Sequence, residues 1–276
     1  MWCKFPHYIP KEILRGFKRE NVKNGIWEYC FNTHKYENKN INNVCKIKYL
    51  YEWLDSQNKI MYRNYMENRL GKCETMFKDV LNKIDRLMPL SDDDLFLCVV
   101  MMHLQLLRTP VSINKTLEDL MNEYKGVHKN SLRNSAILNN LELNSGSDCD
   151  TVIRRILHTY KNFVIEIWYT LSSEFIISNY MPVSAADIIY EDRRCGCTIF
   201  PISYKCCIVL FDNDNDDKVN DDLYINIDDE TVGNINRHII YLAKQGVNNK
   251  YFIDKNGSCF DSCVYSKHKL NLEELT

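Results

Sequence analysis

Residues 92–108 are the segment of the sequence that most constrains the fold. Ser91 and Asp94 have the spacing of a capping box, in which a hydroxyl and a carboxylate bind free amides of the first helical turn. Thr109-Pro110 ends the helix, because the residue before a proline is forced out of helical geometry. The helix between these signals is apolar nearly all round, which is typical of a buried helix. We therefore expect a central helix with the rest of the chain packed around it.

The remaining secondary structure is predicted from the period of the apolar residues. Steps of three and four residues predict further helices, which cover residues 60–88, 116–125, 151–171 and 232–245. Short β-branched or aromatic runs predict strands, which cover residues 26–31, 174–178, 197–200, 206–211 and 223–227. Lys23-Asn24-Gly25 predicts the turn of an N-terminal hairpin within residues 8–31. Gly246 is the expected cap of the last helix, and the tail from Asn256 onward is expected to pack weakly.

Helices and strands are segregated along the sequence. A helical middle, residues 60–171, precedes a strand-rich part, residues 174–230, and a C-terminal helix, residues 232–245. This order predicts an α+β fold, in which a helical layer of three to five helices packs with a small, mostly antiparallel sheet. The sequence shows no repeat and no long linker, so we expect a single domain over residues 1–276.

Composition limits the compartment and the classes of partner. The 35 basic and 37 acidic residues leave a formal net charge of −2, which gives no strong nucleic-acid signature and no attraction to an acidic membrane. No export signal opens the sequence and no apolar run is long enough to cross a bilayer, so we expect a cytoplasmic protein. In that reducing compartment the 12 cysteines are expected to be thiols. The sequence identifies no cofactor, substrate or partner.

His7, Tyr8, Glu67 and Arg108 are the candidate catalytic residues. An imidazole beside a phenol, with a more distant carboxylate, can supply general acid–base chemistry near neutral pH. The alternative is that His7 binds backbone while Tyr8 packs in the core. Glu67 and Glu74 lie seven residues apart on one predicted helix face, where they can hold a cation, anchor Arg108 or face solvent.

Gln105 and Arg108 lie three residues apart at the end of the central helix. An arginine in such an apolar helix needs partners, because an unpaired buried charge is costly. Its guanidinium can bind a phosphate or carboxylate of a substrate. It can equally cap its own helix and pair with Glu67 or Glu74, and this structural pairing is the favoured interpretation.

Two stretches are weighed as metal sites. Residues 212–217 alternate Asp and Asn as a calcium loop does, but Asp217 stands where the turn needs glycine and Leu223 where a bidentate glutamate belongs. The four cysteines within residues 195–207 lack the spacing of zinc-binding knuckles. A solvated acidic loop and free thiols are the favoured interpretations, and no metal site is predicted.

Six blocks of the sequence resemble, in order, the motifs of the bacterial family known as domain of unknown function 4238. They are His7-Tyr8-Ile9-Pro10 with Leu14 and Phe17; Glu67, Leu70 and Glu74; Gln105 to Pro110; Phe175 to Asn179 with Pro182; Phe200 to Ser203; and Ile235-Asn236 with Ile239 and Ala243. The blocks extend from His7 to about Ile253. With this resemblance, Glu74, Gln105, Asn179 and Asn236 become candidate binding residues.

The clearest departure from the family pattern is Asn179, where the family usually has aspartate. If that aspartate is catalytic or binds a metal, the activity is lost in this chain. The resemblance itself implies no established activity.

Two functions from different classes follow. The first is an enzyme, a hydrolase or nuclease of a bacterial defence or toxin type, with the motif residues converging in one cleft. The second is a non-catalytic binding or regulatory module, in which the same residues form a structural network. An open pocket holding His7, a glutamate and Arg108 would favour the enzyme. Burial with mutual hydrogen bonds would favour the module.

Overall fold

The computed structural model describes residues 6–47, 53–54, 59–62, 65–109, 112, 122–123, 156, 159–190, 193–212, 222–248 and 263–269. The helices of these ranges are α1 (Lys11–Arg15), α2 (Tyr65–Asp85), α3 (Asp92–Leu107) and α4 (Asp229–Asn248), with a 3-10 turn at Ile41–Asn43. In chain order the strands are β1 (Gly25–Cys30), β2 (Lys35–Asn40), β3 (Trp53–Leu54), β4 (Ile60–Tyr62), β5 (Phe163–Tyr169), β6 (Ile177–Ser178), β7 (Ser184–Tyr190), β8 (Arg193–Pro201), β9 (Cys206–Asp212), β10 (Tyr224–Asn226) and β11 (Cys263–Ser266).

The predicted helix over residues 92–108 is confirmed as α3, Asp92–Leu107, together with its cap. The Asp94 N–H donates to the Ser91 hydroxyl oxygen at 3.3 Å, and the Ser91 N–H donates to the Asp94 carboxylate at 2.9 Å. Helix α2 packs against α3. It begins at Tyr65 rather than at residue 60, because residues 60–62 form β4.

The strands form two larger sheets, in the orders β2-β1-β11-β6 and β10-β5-β9-β8-β7, and a pair formed by β3 and β4. All strand pairs are antiparallel except β10 with β5. Helix α4 contacts β7 in the five-stranded sheet and both β6 and β11 in the four-stranded sheet, so it connects the two. The predicted α+β class with mostly antiparallel strands is confirmed.

The prediction of one helix over residues 151–171 is wrong for its second half, which forms β5. The Trp168 indole N–H donates to the Glu166 carboxylate at 2.6 Å, a contact between residues two apart that strand geometry allows. Strand β5 is apolar or aromatic apart from Glu166, and the successive residues Glu166 to Trp168 are all buried, so both faces of the strand are covered there. A continuous apolar run of this kind does not distinguish a strand from a buried helix.

Three further predictions need correction. Asn24 and Gly25 lie at the start of β1, whose hairpin partner is β2 on its C-terminal side. Residues 263–266, in the tail expected to pack weakly, form the fully buried strand β11. Helix α4 continues through Gly246 to Asn248.

Two expectations lie outside the described residues. The predicted helix over residues 116–125 falls there except for residues 122–123, and the acidic loop except for residue 212. None of the described helices has the length and apolar character needed to cross a membrane.

Candidate functional site

The C-terminal turn of α3 carries two buried polar side chains that are linked to each other. Gln105 is 0% exposed and Arg108 is 1% exposed. Arg108 Nε donates to Gln105 Oε1 at 3.0 Å, and Arg108 Nη1 donates to Glu74 Oε1 on α2 at 2.7 Å. Gln105 Nε2 in turn donates to the carbonyl oxygen of Tyr8 at 2.9 Å. The chain of contacts ties α2, α3 and the N-terminal segment together, and we call these four residues the polar network.

The position of Tyr8 is fixed by backbone contacts on both sides. Its N–H donates to the Cys45 carbonyl oxygen at 2.9 Å, while its carbonyl oxygen accepts from Gln105. The Ile47 N–H donates to the Pro6 carbonyl oxygen at 3.2 Å, so the N-terminal segment is held along residues 45–47. Through Gln105 the polar network therefore reaches the backbone of the N-terminal segment.

Electrostatics explain why the Arg108 charge is tolerated inside. A buried guanidinium is costly unless a carboxylate and further acceptors compensate it. Glu74 supplies the carboxylate and keeps 28% of its side chain exposed. Arg108 is 1% exposed, so Glu74 rather than Arg108 is the member of this ion pair that solvent reaches.

His7 and Glu67 complete the candidate catalytic set. His7 Nε2 lies 3.2 Å from the carbonyl oxygen of Ile41, and the ring is half-buried. Burial, helped by the positive charge of the nearby Lys11, lowers the pKa of His7 from 6.5 to about 4. Neutral imidazole is therefore the form present near pH 7. Glu67 is half-buried in the first turn of α2, and the catalytic roles of both residues stay predictions.

The two candidate asparagines bind backbone on either side of β6. Asn236 Oδ1 accepts from the Ile176 N–H at 3.1 Å, and its Nδ2 donates to the Glu174 carbonyl oxygen at 2.8 Å. Asn179 Oδ1 accepts from the Cys263 N–H at 2.6 Å. Asn236 is 3% exposed and Asn179 is 5% exposed. These side-chain amides stand in for backbone partners that the short strand β6 does not provide.

A buried cluster of thiol and phenol groups was not predicted from the sequence. Burial raises the pKa of Cys45 to about 12, although hydrogen bonds from Tyr265 and Tyr8 oppose that rise. Burial also raises the pKa of both phenols well above the ordinary value. The three residues come from distant segments, so no spacing in the sequence could have indicated the cluster.

The described residues offer no metal centre at these positions. Among them, no group of three or more His, Cys, Asp or Glu side chains has the arrangement of a metal site. An open depression of about 550 Å³ lies beside the start of α4, lined by Leu171, Ser172, Asn226, Ile227, Asp228, Asp229 and Glu230. None of the candidate site residues lines this depression.

The comparison with protein families identifies the chain. A family model described as a protein of unknown function, DUF4238, matches residues 6–250 of the 276. The chain belongs to the DUF4238 family. No curated protein and no solved structure matches it. The description of DUF4238 names no activity, so function has to be inferred from the geometry.

The structure explains how this member of DUF4238 can have asparagine at position 179, where the family usually has aspartate. The side-chain oxygen of Asn179 accepts from a backbone N–H, and an aspartate at that position has an oxygen that can accept in the same way. Asparagine and aspartate can therefore perform the same contact at this point of the fold.

Proposed function

We propose that this chain is a non-catalytic binding or regulatory module in which the DUF4238 motif residues form an internal structural network. One observation carries the proposal: the Arg108 side chain is 1% exposed while its Nε and Nη1 bind Gln105 and Glu74. A group that binds substrate has to reach it, and a group that transfers protons needs a reacting atom within hydrogen-bond distance. The burial of Arg108 supports the module over the hydrolase or nuclease.

The other motif residues support the same proposal. Gln105 is 0% exposed, Asn236 is 3% exposed and Asn179 is 5% exposed. Each binds a backbone group of a different segment. Buried amides with satisfied partners specify how segments pack. A hydrolase or nuclease would instead have to act through the half-buried candidates His7, Glu67 and Glu74.

A binding module needs a contact surface, and the best-formed candidate contains two aromatic rings that carry cations. Arg19 Cζ lies 4.3 Å from the centre of the Trp27 ring, and Lys269 Nζ lies 4.6 Å from it. Lys267 Nζ lies 3.8 Å from the centre of the Tyr204 ring. Cations over ring faces are held by the quadrupole of the ring. We call these five residues the cation–aromatic face.

The local charge of this face favours an anionic ligand. Lys205 adds a further cation 5.5 Å from the centre of the Tyr204 ring. Two carboxylates offset part of the charge. Glu20 lies 2.8 Å from Lys267 Nζ, and Glu174 is paired with His268, the residue between Lys267 and Lys269. Lys267 is 7% exposed and paired with Glu20, so the cations that a ligand can reach are Arg19, Lys205 and Lys269. They outnumber the remaining carboxylate, although the whole chain has a net charge of −2. A ligand bearing phosphate or carboxylate groups complements this distribution.

Titration calorimetry with inorganic polyphosphate tests this proposal. We expect binding at about 50 mM salt that weakens at least tenfold by about 300 mM salt, because counterions are released from the polyanion. The double variant Arg19→Ala/Lys269→Ala is expected to bind at least tenfold more weakly. The matched control is Lys72→Ala/Lys78→Ala, which removes the same charge from exposed positions on α2. An absence of heat at low salt, or an equal loss in the control, contradicts the anionic ligand.

A further inference from the structure

Two cysteines lie directly opposite each other on neighbouring strands. In the antiparallel pair of β1 and β11, Cys30 is the partner of Cys263. Neither is joined in a disulfide in the structure, and both are buried, with 8% and 2% of their surfaces exposed. Residues directly opposite in an antiparallel pair point to the same face of the sheet. The two thiols therefore point in the same direction from adjacent backbones.

The hydrogen bonds of Cys263 show which kind of cross-strand pair this is. Its N–H donates to Asn179 Oδ1 at 2.6 Å, and its carbonyl oxygen accepts from the Asn179 N–H at 2.9 Å. Both backbone groups therefore point towards the β6 side, away from β1. The N–H and C=O of one strand residue point to the same neighbour, so Cys30 and Cys263 form a non-hydrogen-bonded pair.

This kind of pair has the spacing that a disulfide requires. Opposite Cα atoms in a non-hydrogen-bonded antiparallel pair lie about 4.5 Å apart. Disulfides join residues whose Cα atoms are about 4.4–6.8 Å apart. A bond between Cys30 and Cys263 therefore needs no change of strand register. By contrast, Cys206 and Cys207 are adjacent in β9 and point to opposite faces of the other sheet.

We propose that Cys30 and Cys263 are a reversible disulfide site, oxidised by thiol–disulfide exchange with a small-molecule disulfide. The Cys30 thiolate attacks one sulfur of the small disulfide, forms a mixed disulfide and releases one small thiolate. The Cys263 thiolate then attacks the Cys30 sulfur, forms the Cys30–Cys263 bond and releases the second small thiolate. The protein loses two protons and two electrons, and the small disulfide is reduced to two thiols.

The positions of the two cysteines favour initial attack by Cys30 and predict that the disulfide stabilises the fold. Cys30 ends β1 beside the turn to β2, and it is the more exposed of the two thiols. Cys263 begins β11. The bond joins strands from opposite ends of the sequence, so it restricts the unfolded chain strongly. Oxidation should therefore stabilise the fold, and reduction should return it to the stability of the dithiol form, in which β11 still pairs with β1.

The test uses the full chain, first reduced and then incubated with oxidised glutathione. Peptide mapping without reduction should find one new cross-link, between the peptides that contain Cys30 and Cys263. The Tm should rise by about 5–10 °C and return to its starting value with dithiothreitol. Cys30→Ser and Cys263→Ser should each abolish the cross-link and the rise. Cys73→Ser, at a half-buried position on α2, should retain both.

The mapping of the unmodified sequence decides the proposal even if a variant fails to fold. A cross-link between other cysteines would overturn it. Glutathione adducts on Cys30 without resolution by Cys263 would also overturn it, since the exchange would then stop at the mixed disulfide. This inference is independent of the anionic ligand, because Cys30 and Cys263 are not part of the cation–aromatic face.

Discussion

Replacing Arg108 with alanine separates a structural network from a functional site. Removal of one partner of a buried ion pair costs about 3–5 kcal/mol, because the other charge is left without compensation. Here the remaining carboxylate, Glu74, keeps 28% of its side chain exposed, so water replaces part of the lost interaction. Gln105 also loses a donor at its Oε1, inside the core. We expect Arg108→Ala to lower the free energy of unfolding by about 2–4 kcal/mol.

Urea unfolding followed by circular dichroism measures this change. With a denaturant slope of about 3 kcal/mol/M, the midpoint should fall by roughly 1 M. Arg108→Lys keeps the charge but not the fork that binds Glu74 and Gln105 together, so it should recover only part of the loss. Arg86→Ala, at an exposed position near the end of α2, is the matched control and should change stability by less than about 0.5 kcal/mol. Unchanged or raised stability in Arg108→Ala would refute the structural reasoning, since functional sites commonly trade stability for activity.

Three further predictions concern other parts of the chain. Burial lowers the pKa of His7 from 6.5 to about 4, so the unfolded chain binds a proton that the folded chain does not, and stability falls as the pH drops through that window. His7→Gln should recover up to about 3 kcal/mol of the free energy of unfolding lost at pH 4, measured by urea unfolding at pH 7 and pH 4. The same pH profile in the variant and in the unmodified protein would contradict this. Asn236→Leu should lower the free energy of unfolding by about 2–4 kcal/mol, because the Ile176 N–H and the Glu174 carbonyl oxygen both lose their side-chain partner. An unchanged stability would contradict the structural role of Asn236. Millimolar calcium should leave the Tm unchanged, whereas a saturable rise would show that residues 212–217 bind the ion.

Elements with local signals could be predicted from the sequence. The start of α3 was predictable because the capping box needs only Ser91 and Asp94, three residues apart. Strand β9 and the second half of β8 were predictable because turn residues bound their β-branched and aromatic runs. In each case the interaction that forms the element lies within a few residues.

Elements that depend on distant partners could not be predicted in the same way. Strand β5 was interpreted as a helix because its residues are apolar on both faces, and the strands that pair with it, β9 and β10, follow only later in the sequence. Strand β11 is short, and its place between β1 and β6 depends on residues from two remote segments. Tertiary pairing overrides local period in both strands.

The candidate site shows the same limit. The spacing of Gln105 and Arg108 indicated that the two side chains share the end of a helix, and the cost of a buried charge indicated that Arg108 needs a partner. The contact of Gln105 with the Tyr8 carbonyl joins residues 97 positions apart, and no spacing rule points to it. The same is true of Asn236, whose partners in the segment at Glu174 to Ile176 are about sixty positions away.

A double-mutant cycle between Arg108 and Glu74 tests the structural role of the motif residues most directly. The free energy of unfolding is measured for the unmodified protein, Arg108→Ala, Glu74→Ala and the double variant. If the ion pair at 2.7 Å stabilises the fold, the coupling energy should be about 1–3 kcal/mol, because each single change removes the same interaction. A coupling energy indistinguishable from zero would contradict the structural network and return Arg108 and Glu74 to the candidates for a functional site.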